Sequence, residues 1–188
     1  QLAFFALFLL APALNLLRFD LNETQLWFLG QRWSLGISAL QRGEVRFEAI
    51  GTSYAGGGRG QPSFAPLVEG STLATQVMED PERLGYADML RTLMRSDALV
   101  VFGSDDPAYT ASKIYPYLLA GKPLLAIFHC RSSVVNLMQE VGGGICVGFD
   151  EMTTPAALAE AIAAAWFRPQ AWARPVPLDR ERFEPYTA

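Results

Sequence analysis

Short, continuous apolar runs between helix-spaced segments constrain this chain most. Ala98–Phe102 (ALVVF) is one such run, closed by Gly103, and Leu124–Phe128 (LLAIF) is another. A strand covered on both faces reads this way, because neither side needs polar residues. Ile145–Phe149 is a third strand, placed after Gly142-Gly143-Gly144. Helical spacing fills the intervals: Leu84–Met94, Ser112–Ala120 with a left-handed stop at Gly121, and Val134–Val141. An Ala-rich helix, Pro155–Trp166, opens with Thr153 or Thr154 as its cap. Upstream, Val45–Ile50 (VRFEAI) alternates and ends at Gly51. Ser63–Glu69 reads as a short helix and Leu73–Met78 as a strand before the Asp80-Pro81 breaker. Strand and helix alternate with short connections, so crossover geometry predicts a parallel α/β sheet with helices on both faces. There is no internal repeat.

The flanks differ. Leu2–Leu17 (LAFFALFLLAPALNLL) is apolar, holds Pro12, and falls short of the roughly 20 residues a spanning helix needs. No basic segment precedes it, as a signal peptide would require. A buried helix is the plain reading; a membrane-associated or interdomain surface is the other. Glu23–Leu40 is mixed and reads as helical, ending near Gly43. The expected organisation is therefore an N-terminal helical and apolar segment over 1–44, an α/β domain over 45–167, and a strap over 168–188. Four prolines (Pro169, Pro175, Pro177 and Pro185) make that strap extended.

Composition narrows the function. Apolar residues make up 51% and charged residues 18%, which excludes intrinsic disorder. With 15 basic and 19 acidic residues the net charge is −4, so no global footprint for nucleic acid exists. Any bound anion needs a local device. Cys130 and Cys146 are the two thiols, each in an apolar run, and read as buried free cysteines. His129 is the single histidine; with two distant cysteines it makes no zinc site, and a Ser-His-Asp triad would have to use it.

Ligands of open parallel sheets bind beyond the carboxyl ends of strands. Two loops take that position. The first, Gly51–Gly60 (GTSYAGGGRG), lets backbone N–H groups approach a phosphate, with Gly51 and Thr52 at its root and Arg59 as a forked cation. It lacks the Gly-Lys-Ser/Thr of a Walker loop and the strand-to-helix G-x-G-x-x-G of a dinucleotide fold, and a plain flexible loop is its bland reading. The second, Gly103–Lys113 (GSDDPAYTASK), places Ser104 after the strand and Thr110, Ala111 and Ser112 at a helix start. Free amides and a positive dipole end there suit a diphosphate, and Lys113 adds charge. Ordinary capping by Thr110 or Ser112 is the alternative. Asp105 and Asp106 read as a turn and cap pair. A paired-carboxylate hydrolase needs a raised pKa that nothing here supplies.

Ser112–Ala126 (SKIYPYLLAGKPLLA) resembles the donor-domain motif of retaining glycosyltransferases of the GT-B fold, family 4 type. Gly142–Gly144 also matches the family's pattern, and the likeness extends over roughly 45–167. The resemblance implies a Rossmann-like sheet forming one half of a GT-B fold. It also implies transfer of a sugar from a UDP- or GDP-linked donor without a required metal. Carried over by position, Thr110, Ala111, Ser112 and Lys113 hold the diphosphate. Pro81, Glu82 and Arg83, together with Tyr115, lie near base and ribose. Arg59 and Lys113 are the candidate catalytic cations, offsetting charge on the leaving diphosphate. The family's two glutamates, eight positions apart, fall on Ala108 and Pro116. Neither side chain accepts a hydrogen bond, so the ribose is held otherwise, donor binding is altered, or the member is inactive.

A GT-B enzyme needs two domains of about this size, so the expectation is the donor half, partnered by an acceptor domain. Alone it would bind a nucleoside diphosphate sugar and not turn over. The expected location is the cytoplasm, or the inner face of a membrane if the apolar flank meets one. A non-catalytic, degenerate nucleotide-binding module is the alternative; another Rossmann-like enzyme, such as a nucleotide-sugar epimerase, is the second.

Overall fold

A computed structural model describes residues 17–20, 25–28, 31–34, 45–52, 61–71, 73–109 and 111–187. The chain divides into two units, Gln1–Leu84 and Gly85–Ala188.

In the first unit, β1 (Leu17–Asp20), β2 (Gln25–Phe28) and β3 (Gln31–Ser34) form an antiparallel sheet. Its register sets Leu17 against Phe28 and Gln25 against Ser34. This corrects the helix expected over 23–40. The segments QLWF and QRWS are short and aromatic, and only Leu29 and Gly30 separate them. Strand propensity and a two-residue connection favour a hairpin over a helix there. The apolar stretch 2–16 lies outside the described residues, and Leu17 opens β1.

Further along, β4 (Phe47–Ile50) and β5 (Val77–Asp80) pair in parallel, Phe47 beside Val77 and Ile50 beside Asp80. The strand expected at 73–78 begins later, because residues 73–76 form turns closed by Gln76 N to Leu73 O at 2.9 Å. The short helix α1 (Ala65–Val68) starts with Pro66 in its first turn, where a missing N–H costs nothing.

The second unit is built on a parallel sheet in the order β6 (Leu99–Phe102), β7 (Leu124–His129), β8 (Ile145–Phe149). All six β7 residues are buried. On one face Leu124, Ala126 and Phe128 pack with Leu93 of α2 (Tyr86–Arg95), Ile114 and Leu118 of α3 (Ile114–Leu119), and Val134, Leu137 and Val141 of α4 (Ser133–Val141). On the other, Leu125 and Ile127 join Val147, Trp166 and the partly buried Leu158 and Ile162 of α5 (Pro155–Ile162). The alternation of a strand thus feeds two layers, and each large aliphatic side chain buried contributes about 1.5–3 kcal/mol. The fold is α/β and Rossmann-like, and the parallel sheet with helices on both faces is what the apolar runs predict.

Caps mark the helix ends. The Ser132 hydroxyl accepts from Val134 N at 3.3 Å and Thr154 Oγ1 from Ala157 N at 3.2 Å. Thr153 does not cap: its hydroxyl donates to Asp150 Oδ1 at 2.6 Å. Just past α3, Gly121 takes the left-handed conformation at φ 63°. The Ala-rich helix leaves α geometry at Ala163 and closes in a π-helical turn, Ala163–Phe167.

The C-terminal tail is extended only in part. Pro177 and Leu178 bridge the Gly142–Gly143 turn, where Gly143 N donates to Pro177 O at 3.0 Å. Asp179 then caps a short helix, α6 (Arg180–Phe183), and a 3-10 turn, Glu184–Tyr186, follows. The proline count hides this helix because Pro185 sits in the first turn of the 3-10 segment, where proline is tolerated. Phe183, 2% exposed, enters the core. Gly142–Gly144 have a packing reason of their own. A Cβ at Gly142 would lie 2.9 Å from Pro177 O, one at Gly143 2.6 Å from Leu118 Cδ2, and one at Gly144 2.8 Å from Leu124 O.

Candidate functional site

The loop after β6 begins where the sheet's carboxyl edge opens. Gly103 N donates to Ile127 O at 2.8 Å, and a Cβ here would overlap the Phe128 ring. This glycine is a packing requirement. Ser104 Oγ donates to Asp105 Oδ1 at 3.0 Å and accepts from Asp106 N at 3.2 Å. Asp106 in turn accepts from Ala108 N at 2.9 Å. The Ser104 hydroxyl and the Asp105-Asp106 pair therefore build the turn itself.

Thr110 lies outside the described residues. Ala111 is 1% exposed, so it offers a ligand only its backbone. Ser112 and Lys113 are exposed, directly before α3. No side chain caps this six-residue helix. Partial loss of solvent around the Lys113 ammonium pushes its pKa below the ordinary value. Among the described residues no carboxylate pairs with it. A partly desolvated, unpaired cation is stabilised by an anion. Tyr115, half-buried in α3, stacks on Tyr186 with ring centroids 6.3 Å apart and planes at 26°.

In the first unit, Gly51, Thr52, Glu82 and Arg83 lie at the carboxyl ends of β4 and β5. Gly51 has φ 69° and its N–H donates to Asp80 O at 2.8 Å. A Cβ added to it would stand 3.7 Å from Glu82 O, so the two loops run side by side. Glu82 and Arg83 are exposed. Arg59 lies outside the described residues. The Thr52 hydroxyl is already used: it donates to Glu79 Oε1 at 2.5 Å. Ser63 N (2.7 Å), Phe64 N (2.8 Å) and Ala65 N (2.8 Å) converge on the same carboxylate. Desolvation raises the Glu79 pKa, but these donors outweigh it and hold the group down at about 2. Glu79 therefore ties both ends of the 52–63 loop to β5.

Three groupings carry little sequence signal. His129 ends β7 at 1% exposure; its Nδ1 accepts from Arg131 N at 3.1 Å, and its Nε2 faces Glu151 Oε1 at 3.5 Å. Glu151 Oε1 also takes Arg131 Nη2 at 2.6 Å. Nδ1 is thus engaged, whereas Nε2 is buried without a hydrogen bond among the described residues, and the ring has almost no surface of its own. An apolar groove of about 520 Å³ runs between α2 and α3, with Tyr86, Leu90, Met94, Pro116 and Leu119 on its walls. A smaller cavity of about 260 Å³ lies between α3 and α4, with Ala111, Tyr115, Asn136 and Glu140 on its walls. No His, Cys, Asp or Glu cluster fit for a metal ion occurs among the described residues, and no described helix is long and apolar enough to cross a membrane.

Compared with family models, with curated proteins and with solved structures, the chain finds no match.

Proposed function

We propose that this chain is the donor-binding half of a glycosyltransferase, taking a UDP- or GDP-linked sugar. The observation that carries the reading is Lys113: an exposed, partly desolvated cation without a described counter-ion, beside Ser112 in the loop 103–113 after β6 of a parallel sheet. The SKIYPYLLAGKPLLA segment runs through α3 and into β7, with Ser112 and Lys113 directly before α3, which supports the reading. A diphosphate there would be held by Lys113, the Ser112 hydroxyl and backbone amides. When the sugar leaves, charge grows on that diphosphate, and fixed cations stabilise it without reorganising. The partner on this view is an acceptor domain, and the place of work is the cytoplasm or the inner face of a membrane.

A second reading, a non-catalytic module that binds nucleotide, has one observation in its favour. Pro116, where the family keeps a glutamate, faces the apolar groove. Calorimetric titration of the full chain with UDP, GDP, ADP and NAD tests both. Saturable binding of one nucleoside diphosphate, weakened about tenfold or more in Lys113→Ala, supports the donor site and names the base. With binding established, hydrolysis of the matching nucleotide sugar separates an active domain from a silent one. Binding of NAD alone, or of nothing, overturns the proposal.

A further inference from the structure

His129 is the single histidine of the chain, and it is buried at the end of β7. Strand alternation puts its side chain on the same face as Leu125 and Ile127. Its ring meets Phe149 edge-on, with centroids 5.9 Å apart and planes at 78°. The backbone on both sides of the ring is pinned: Cys130 N donates to Phe149 O at 2.7 Å and Ser132 N to His129 O at 2.8 Å. The ring therefore has little freedom to turn away. Nδ1 accepts from Arg131 N at 3.1 Å. A ring nitrogen that accepts carries no proton, so the neutral imidazole keeps its proton on Nε2. That Nε2–H is buried and makes no hydrogen bond among the described residues. It faces Glu151 Oε1 at 3.5 Å, an oxygen that Arg131 Nη2 holds at 2.6 Å.

Among the described residues, the charged groups around the ring are Arg131 from the turn after β7, and Asp150 and Glu151 from the loop after β8. Asp150 is engaged by Thr153, whose hydroxyl donates to its Oδ1 at 2.6 Å. The helix packed on this face, α5, presents the apolar Leu158 and Ile162. Protonation of the ring turns Nδ1 from acceptor into donor. Nδ1–H and Arg131 N–H then point at each other, and their hydrogen bond cannot persist. The same proton strengthens Nε2–H as a donor, with Glu151 Oε1 in front of it. A hydrogen bond between ionised partners is roughly twice as strong as a neutral one. Each charge state thus satisfies what the other leaves open. The neutral ring holds the Arg131 backbone and leaves Nε2 bare; the imidazolium takes Glu151 and releases the Arg131 backbone.

We propose that His129 is a proton-operated switch of the turn 129–132, exchanging Arg131 N–H for Glu151 as its partner. The turn carries Ser132, whose hydroxyl accepts from Val134 N at the start of α4 and donates to Tyr109 O at 3.4 Å in the loop 103–113. A change in the turn therefore reaches both the α4 cap and the end of that loop. The switch needs no nucleotide, so it stands apart from the donor reading.

With one histidine in the chain, its ring signals are unambiguous. The test follows the ring nitrogens and the Arg131 amide of the isotope-labelled full chain by NMR between about pH 8 and pH 5, the span in which imidazoles titrate. At the upper end the ring should carry its proton on Nε2. As the ring titrates, the protection of the Arg131 amide, corrected for intrinsic exchange, should fall about tenfold with the same midpoint. Glu151→Gln removes the charge that receives the imidazolium, so both midpoints should move together to lower pH. Glu151 is exposed, so this variant leaves the fold intact. His129→Asn offers an oxygen in place of Nδ1 and does not titrate; its Arg131 amide should stay protected throughout. If that buried variant fails to fold, the Glu151→Gln shift decides. A ring protonated on Nδ1 at the upper end, a ring that does not titrate, flat Arg131 protection, or midpoints unmoved by Glu151→Gln each overturns the switch.

Discussion

The Glu79 carboxylate accepts five hydrogen bonds from described residues, two of them from hydroxyls and three from consecutive backbone amides. Its pKa lies at about 2, against an ordinary 4.5. A depressed folded-state pKa means the stabilisation is fully present above the unfolded value and vanishes as pH falls through the folded one. The clasp should therefore hold above pH 4.5 and open between 4.5 and 2. Hydrogen exchange at the Ser63, Phe64 and Ala65 amides reads this directly. Exchange should quicken in that window beyond its intrinsic change with pH, and Glu79→Gln should show quickened exchange already at pH 7. Flat protection down to pH 2 would show that the carboxylate is not the clasp. Gly103 makes a second residue-scale case. Its hydrogen would become a methyl inside the Phe128 ring, and Phe128 is fully buried. Gly103→Ala should cost about 1–3 kcal/mol of overpacking in urea denaturation. An added Phe128→Leu should recover part of it, because the smaller side chain vacates the clash.

Elements differ in how much of them the sequence discloses, and the reason is range. β7, β8 and α4 are legible because their signals are local: a continuous apolar run, helical spacing over Val134–Val141, and the glycines Gly142–Gly144 that separate α4 from β8. The hairpin of β2 and β3 is missed because QLWF and QRWS are too short for periodicity to decide. The tail is missed because its stability comes from elsewhere. Phe183 enters a core assembled from α3, α4 and β7, so Phe183→Ala should cost about 3–5 kcal/mol although it sits in a four-residue helix near the end of the chain. A loss under 1 kcal/mol in denaturant melts would show that the tail is merely laid on the surface. The candidate site follows the same rule. Lys113 is visible through the local spacing of its motif, but Thr52 meets Glu79 across 27 positions and Glu140 meets Tyr186 across 46. No pattern read along the chain predicts either pair. Ser104, Thr52 and Gly142–Gly144 show the converse: residue types that suit ligand binding are here engaged in turns, a clasp and close packing.

At the scale of the molecule, what matters is whose residues fill each core. Among the described residues, both clusters around β7 draw their buried members from residues 93–183, inside the second unit. The described helices on both faces of its sheet are its own. A unit that completes its own core can fold alone. Residues 85–188 expressed by themselves should therefore unfold in one cooperative urea transition, with dispersed methyl signals from Leu125, Ile127 and Val147. Trp166→Ala in that fragment should cost about 3–5 kcal/mol, since this indole is 4% exposed against the second face of the sheet. A fragment with helical content, no methyl dispersion and a broad, non-cooperative melt would contradict this. It would mean that the first unit supplies packing that the second lacks, and that Lys113 and the α3–α4 cavity acquire their geometry only in the full chain.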